Sequence, residues 1–225
     1  TNTLNIVWML HAEQQLNWIN KRIKNNELSD MHHWVKFDTG MHRLGFMLEE
    51  YARLHENYVH IFHPKTVVAT HLATADEPKK KASLSAIQQF LNVMVDRHNC
   101  LSIANSAANI CLPESANTWN RMGISLYGST PFEHDEVLVC LTLVMQLNSD
   151  VIALREIASG ESVGSGATWA VSKPSVIATV AIGFADGYPR HAPMGTPALF
   201  DGLAGELVGR VSMDMLTFDV THIEN

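Results

Sequence analysis

Lys36, Asp38 and Arg43 lie close together in Val35-Lys36-Phe37-Asp38-Thr39-Gly40-Met41-His42-Arg43-Leu44-Gly45. An apolar run stops there at a polar loop bounded by glycines, which reads as a β-strand ending in a loop. Loops at the carboxyl ends of strands are where α/β barrels keep their chemistry. Four further segments have the same character. His71-Leu72-Ala73-Thr74-Ala75-Asp76-Glu77 leaves a strand for a polar loop. His71 there either faces a bound ring or is a histidine hydrogen-bonded at a strand end. Asn105 and Ser106 follow the strand-like Ser102–Ala104. A hydroxyl and backbone N–H groups at such a turn can hold a phosphate, or simply cap a helix. Arg121 opens the apolar stretch Gly123-Ile124-Ser125-Leu126-Tyr127. An arginine entering a core needs a partner, because an unpaired buried charge is costly. That partner is either a ligand or a structural carboxylate. Gly183–Arg190 and Val208–Met215 each join a strand to a charged turn.

Two other patterns carry less. Gly160-Glu161-Ser162-Val163-Gly164 fits the G-x-S-x-G nucleophile motif, which needs a strand before it and a helix after it. Ser165-Gly166-Ala167-Thr168-Trp169 is a poor helix start, so a serine hydrolase is set aside. The 12 histidines show no zinc-binding spacing, and read as surface and loop residues with no metal site.

The elements that must position these residues alternate through the first two-thirds of the chain. Strands are expected at 5–10, 33–37, 66–73, 100–104 and 123–127, with helices at 12–24, 48–60 and 83–97. Alternation at this spacing argues a parallel sheet with helices outside it. After about residue 132 helical periodicity fades. Strands are expected within 141–154, 175–182, 207–211 and 216–220, punctuated by glycine and proline, as in a mostly antiparallel β-domain. The expected division is 1–135 and 136–225, with a linker at 129–136. The fold class is α/β: a partial TIM-type (β/α) barrel of five strands followed by the β-domain.

Composition narrows the function. With 46% hydrophobic and 17% charged residues over 225, the chain can bury a core and is not a disordered polymer. A net charge of −7 with dispersed lysines and arginines argues against nucleic acid. No apolar run reaches membrane-spanning length and no signal peptide is visible. Three widely spaced cysteines read as reduced thiols of a cytoplasmic protein. The chain begins at Thr1 rather than methionine, so its native start is expected to lie elsewhere.

Six segments in order, K-F-D-T-G-M-H-R-L-G, T-H-L-A-T-A-D-E-P, I-A-N-S-A-A, R-M-G-I-S-L-Y-G, G-F-A-D-G-Y-P-R and G-R-V-S-M-D-M, resemble the alanine racemases from about His11 to Val220. The resemblance implies a pyridoxal-phosphate (PLP) binding barrel followed by a β-domain. It also implies a homodimer and interconversion of L- and D-alanine, which supplies D-alanine for peptidoglycan. At matching positions, Arg121 would contact the PLP pyridine nitrogen and His71 would lie beside the ring or its arginine. Asn105, Ser106, Gly123 and Ile124 would form the phosphate site. Arg43 would neutralise the cofactor phenolate and help hold the substrate carboxylate. Lys36 stands where the family often carries a carbamylated lysine. Met213, through its backbone N–H, would meet the substrate carboxylate in the partner's site, with Asp214 beside it at the substrate-binding position.

Two departures bear on activity. The family's PLP-linking lysine follows its first barrel strand, in an A-x-x-K-A-N-A-Y-G-like context that no lysine of this chain has. The family's second catalytic base is a tyrosine in a V-G-Y-G-A-like segment; here Val163-Gly164-Ser165-Gly166-Ala167 puts Ser165 there. Phe184 likewise stands where tyrosine is usual, and a further phosphate-contacting tyrosine is expected beyond Asn225. Racemisation needs proton removal on one face and delivery on the other, hence two positioned acid–base groups. The expectation is an incomplete racemase chain, inactive by itself. The alternatives are a non-catalytic homologue that binds PLP weakly or serves as an interaction partner, and a single-barrel PLP homeostasis protein, against which the β-domain argues.

Overall fold

A computed structural model describes residues 6–25, 33–77, 79, 81–133 and 139–223. The chain divides into two compact units, Thr1–Met145 and Gln146–Asn225. The boundary expected at 135/136 falls in 134–138, outside the described residues.

The first unit contains β1 (Trp8–Leu10), α1 (Glu13–Lys24), β2 (His33–Asp38) and β3 (Phe46–Met47). These are followed by α2 (Tyr51–Asn57), β4 (Val67–Ala69), α3 (Ala82–Met94), β5 (Leu101–Ser102) and α4 (Ser106–Cys111). The strands pair in the order β1-β2-β4-β5, with β3 also on β2, and every pairing is parallel. Side chains alternate across a strand. In β2 the fully buried Val35 and Phe37 share one face, and Trp34, Lys36 and Asp38 share the other. Helix α3 buries Ala86, Ile87, Phe90 and Met94, spaced at helical period. Each large apolar side chain removed from water in this way contributes about 1.5–3 kcal/mol. Helix α1 buries Leu16 and Ile19, with Glu13 in its first turn and Lys21, Arg22 and Lys24 in its last, which suits the helix dipole. Because the strands are parallel, Asp38, Ala69 and Ser102 all end at the same edge of the sheet. The loops that leave this edge carry Thr39, Thr70 and Ile103.

One expected strand is not a strand. Residues 124–127 form a 3₁₀ turn, Ile124–Tyr127. Gly123 takes φ −111° and ψ −104°, outside extended geometry, and Gly128 closes the turn at φ 84°. The Leu126 N–H bonds the Gly123 carbonyl, and the Gly128 N–H bonds that of Ser125. The fifth strand of the sheet is therefore Phe46–Met47 rather than 123–127.

The second unit contains β6 (Val151–Ile157), β7 (Ser162–Val163), β8 (Trp169–Ala170), β9 (Ser175–Val180), β10 (Pro197–Phe200), β11 (Leu203–Leu207) and β12 (Leu216–Asp219). Five of them form an antiparallel sheet in the order β10-β11-β12-β9-β6, and β7 pairs with β8. Its core holds Ala178, Val180, Leu207, Leu216 and Phe218. The expectation of an antiparallel β-domain holds, with shifted bounds. The strand expected within 141–154 begins at Val151, and the one expected at 207–211 ends at Leu207. Among the described residues, no helix is long and apolar enough to cross a membrane.

Candidate active site

The carboxyl edge of the parallel sheet collects the cations. Lys36 lies within β2 and is buried. Burial pushes its ammonium below its usual range, and the nearby Arg43 and Arg121 charges push the same way, against Asp38. His71, two residues past β4, is pushed down to about 4, by burial first and then by Arg121, Lys36 and Arg43. It is therefore neutral at pH 7. Arg121 is held in place by three bonds: to the Ser102 hydroxyl at 2.5 Å and to the carbonyls of Thr70 (2.7 Å) and Ile103 (3.2 Å). None of these partners is a carboxylate, and among the described residues Arg121 forms no structural ion pair. Burial lowers its affinity for its proton, yet it stays charged. The ion pairs among the described residues join Asp38 to His42 and Arg53 to Glu13 and Glu50. Lys36, Arg43 and Arg121 belong to none of them. Among the described residues, Asp38 is the carboxylate whose charge acts on Lys36, and it forms no ion pair with Lys36, Arg43 or Arg121.

Beside it lies a cavity of about 530 Å³ whose walls include His71, Asn105, Ser106, Arg121, Gly123 and Ile124. The Ser106 hydroxyl accepts the Gly123 N–H at 2.7 Å, which leaves its own O–H free to donate. The Asn105 amide oxygen caps α4 by accepting the Ala108 N–H at 3.0 Å, so the capping reading of that residue is realised. Arg43 and Lys36 do not line this cavity. Arg43 stands exposed on the β2 loop, and its charge reaches Lys36 and His71.

Sequence reasoning missed Thr70 here, and it named Asp38 without the turn that it makes. Thr70 supplies a carbonyl to Arg121, and its hydroxyl meets that of Thr39 at 2.8 Å. Asp38 accepts the N–H groups of Gly40 (2.8 Å) and Met41 (3.0 Å). The Asp-Thr-Gly sequence was the available signal, since an aspartate that bonds the backbone two residues on makes an Asx turn.

In the second unit, Ser165, Met213 and Asp214 are exposed and belong to adjoining loops. Gly164 and Gly166 have φ of 78° and 80°, and Ala167 has φ of 48°. This loop packs against Gly209 and Arg210. The Phe184 N–H bonds the Ser212 carbonyl at 3.0 Å, and the Ala185 N–H bonds that of Met213 at 2.7 Å. A Cβ at Gly183 would fall 2.4 Å from the Met213 carbonyl oxygen, so only glycine lets these two loops meet. The Phe184 ring lies 5.2 Å beneath the Arg190 guanidinium. The predicted residues thus form two groups, one in each unit.

Known proteins resemble the chain over nearly all of it. Family models match residues 1–131 (alanine racemase, N-terminal domain) and 144–225 (alanine racemase, C-terminal domain). An alanine racemase of Alteromonas mediterranea is 43% identical over 221 residues, 98% of this chain and 61% of the relative. The crystal structure of biosynthetic alanine racemase from Pseudomonas aeruginosa superposes with a TM-score of 0.85 at 37% identity, over 99% of this chain and 62% of that one. Alanine racemase from Bartonella henselae, solved with covalently bound pyridoxal phosphate, gives 0.80 at 26% identity over 99% and 62%. The chain therefore spans about three-fifths of the length of these relatives. The fold is that of a TIM-type barrel unit and a β-domain. On the two family models and these likenesses, the chain belongs to the alanine racemase family.

Proposed function

We propose that the chain carries the cofactor-phosphate, ring and substrate-carboxylate contacts of a PLP-dependent alanine racemase. The observation that carries this reading is the convergence of Lys36, Arg43, Arg121 and a neutral His71 at one sheet edge, where no carboxylate among the described residues forms an ion pair with Lys36, Arg43 or Arg121. PLP is an aromatic phosphate with an acidic phenol, and this donor set fits it. Ser106, Gly123 and Ile124, with the capped Asn105 turn, would hold the phosphate, and Arg121 would face the pyridine nitrogen. A cationic guanidinium disfavours a second positive charge on that nitrogen, whereas many PLP enzymes place a carboxylate there. His71 stays uncharged beside it. Arg43 would hold the substrate carboxylate together with the backbone N–H of Met213 from the second protomer, with Asp214 beside it, and Lys36 would orient Arg43. When bound, PLP supplies the electron sink for a carbanion at the α-carbon. The protein must then remove a proton from one face and return one to the other. The reading extends to a homodimer, and to D-alanine destined for peptidoglycan.

Ser165 favours a second reading, a racemase homologue that holds PLP without the second proton-transfer group. A serine hydroxyl is shorter than a phenol and a much weaker acid, so it cannot replace one directly. The two readings separate in one assay of the complete gene product with PLP and L-alanine in D₂O. Racemase action yields D-alanine carrying deuterium at the α-carbon. PLP binding with no D-alanine above that formed by free PLP supports the second reading. Failure to bind PLP contradicts both.

A further inference from the structure

We propose that Asp38 is a positioning residue for Arg43, acting through the loop backbone and in addition to the orienting role given to Lys36. The inference rests on the reading above, in which Arg43 meets the cofactor and substrate anions. Asp38 closes β2, and its side chain is only 7% exposed. Its Oδ1 accepts both the Gly40 and the Met41 N–H, at 2.8 and 3.0 Å, which folds the chain sharply back as an Asx turn. The turn delivers His42 in the left-handed region, φ 53°, a conformation uncommon for a residue with a side chain. Arg43 follows directly.

The far end of the loop is fixed as tightly. Gly45 has φ 125°, and a Cβ there would fall 2.9 Å from the Asp38 nitrogen and the Phe37 carbonyl carbon, so the loop returns onto the strand it left. Thr39 ties it sideways to Thr70, the residue that holds Arg121. Arg43 thus stands on a short loop pinned at Asp38, Thr39 and Gly45, and its own side chain is exposed.

Asp38 has a second contact, its Oδ2 to the His42 Nδ1 at 3.5 Å, with the His42 side chain 72% exposed. Exposed pairs contribute little. The backbone N–H bonds inside the loop, from Gly40, Met41 and His42, therefore carry the positioning, and the contact with the His42 ring does not. Asparagine keeps the acceptor oxygen and lacks the charge, so it separates the two contributions.

The test is a set of variants of the complete gene product: Asp38→Asn, Asp38→Ala, Arg43→Ala, and Asp38→Ala combined with Arg43→Ala. The readouts are the PLP dissociation constant by equilibrium dialysis, and amide hydrogen exchange at residues 40–43. Asp38→Ala is expected to weaken PLP binding by about the same factor as Arg43→Ala. The double variant is expected to be no weaker than Arg43→Ala alone, because residues that act through one another are not additive. Asp38→Asn is expected to stay within about threefold of the parent and to keep the exchange protection that Asp38→Ala loses. Additive losses in the double variant would overturn the proposal, since Asp38 would then act independently of Arg43. Loss in Asp38→Asn equal to that in Asp38→Ala would overturn it too. If Arg43→Ala leaves PLP binding unchanged, the assigned role of Arg43 fails separately. The exchange data then decide: protection at 40–43 unchanged in Asp38→Ala would end the proposal, and protection lost there but kept in Asp38→Asn would sustain it.

Discussion

At the scale of single residues, Arg121 has a structural role beside the binding role proposed for it. Its guanidinium satisfies the Ser102 hydroxyl and the Thr70 and Ile103 carbonyls, so the ends of β4 and β5 meet at one side chain. Arg121→Ala would leave these groups without their partner, at about 1–3 kcal/mol for a buried unsatisfied polar group. The expected result is a fall of that order in unfolding free energy, measured by urea titration without PLP, together with weakened PLP binding. Unchanged stability would mean that water replaces the guanidinium. Arg121→Lys should recover little, because an ammonium cannot reproduce a planar fork that bonds partners in several directions. The sequence showed this arginine as a charge in need of a partner. It did not show that the partners are neutral, because carbonyl oxygens leave no trace in a residue pattern.

At the scale of elements, α2 and the segment that follows α3 are joined by an aromatic cluster outside the site. The Tyr51 hydroxyl meets the His98 Nε2 at 2.9 Å, and the Phe62 and His55 rings pack around them. Burial, reinforced by His55 and Arg97, pushes the buried His98 down to about 4. His71 is depressed to a similar value. The sign follows directly. Between about pH 6.5 and 4 the unfolded chain binds protons at both histidines, and the folded chain does not. Stability is then full above pH 6.5 and falls as the pH drops toward 4, with each histidine adding up to about 1.4 kcal/mol per pH unit. Urea midpoints at pH 7, 6 and 5 should show the fall, and His98→Gln should remove about half of it between pH 6.5 and 5. A flat profile would mean that both histidines protonate inside the fold.

The legibility of the elements followed the same physics. The strand at residues 33–37 and the helix at 83–97 were readable because burial imposes a period on apolar residues. Gly123-Ile124-Ser125-Leu126-Tyr127 has the alternation of a strand, yet it is a 3₁₀ turn with Ile124, Leu126 and Tyr127 exposed. What decides its form is the Gly123 N–H bond to Ser106, a long-range contact invisible to local pattern. The apolar run before Val151 misled for a related reason. Leu143, Val144 and Met145 are each at least two-thirds exposed and pair with no strand among the described residues.

At the scale of the whole molecule, each unit has its own apolar core and its own share of the expected site residues. Lys36, Arg43, His71, Ser106 and Arg121 belong to the parallel-sheet unit, and Ser165, Met213 and Asp214 to the β-unit. Ordered motifs made the family legible along the whole chain, whereas no single motif would have done so. The proposed function is a racemase site whose second proton-transfer position, Ser165, holds a hydroxyl unsuited to the task. The most direct test compares D-alanine formation from L-alanine by the complete gene product, with PLP, as Ser165 and as Ser165→Tyr. A positioned general acid–base group contributes about 10²–10⁴-fold. The tyrosine variant should therefore turn over faster by about that factor, with the gain in kcat rather than KM, because the phenol acts in proton transfer more than in holding the ground state. Equal rates for the two proteins would contradict the claim, and with it the role assigned to residue 165.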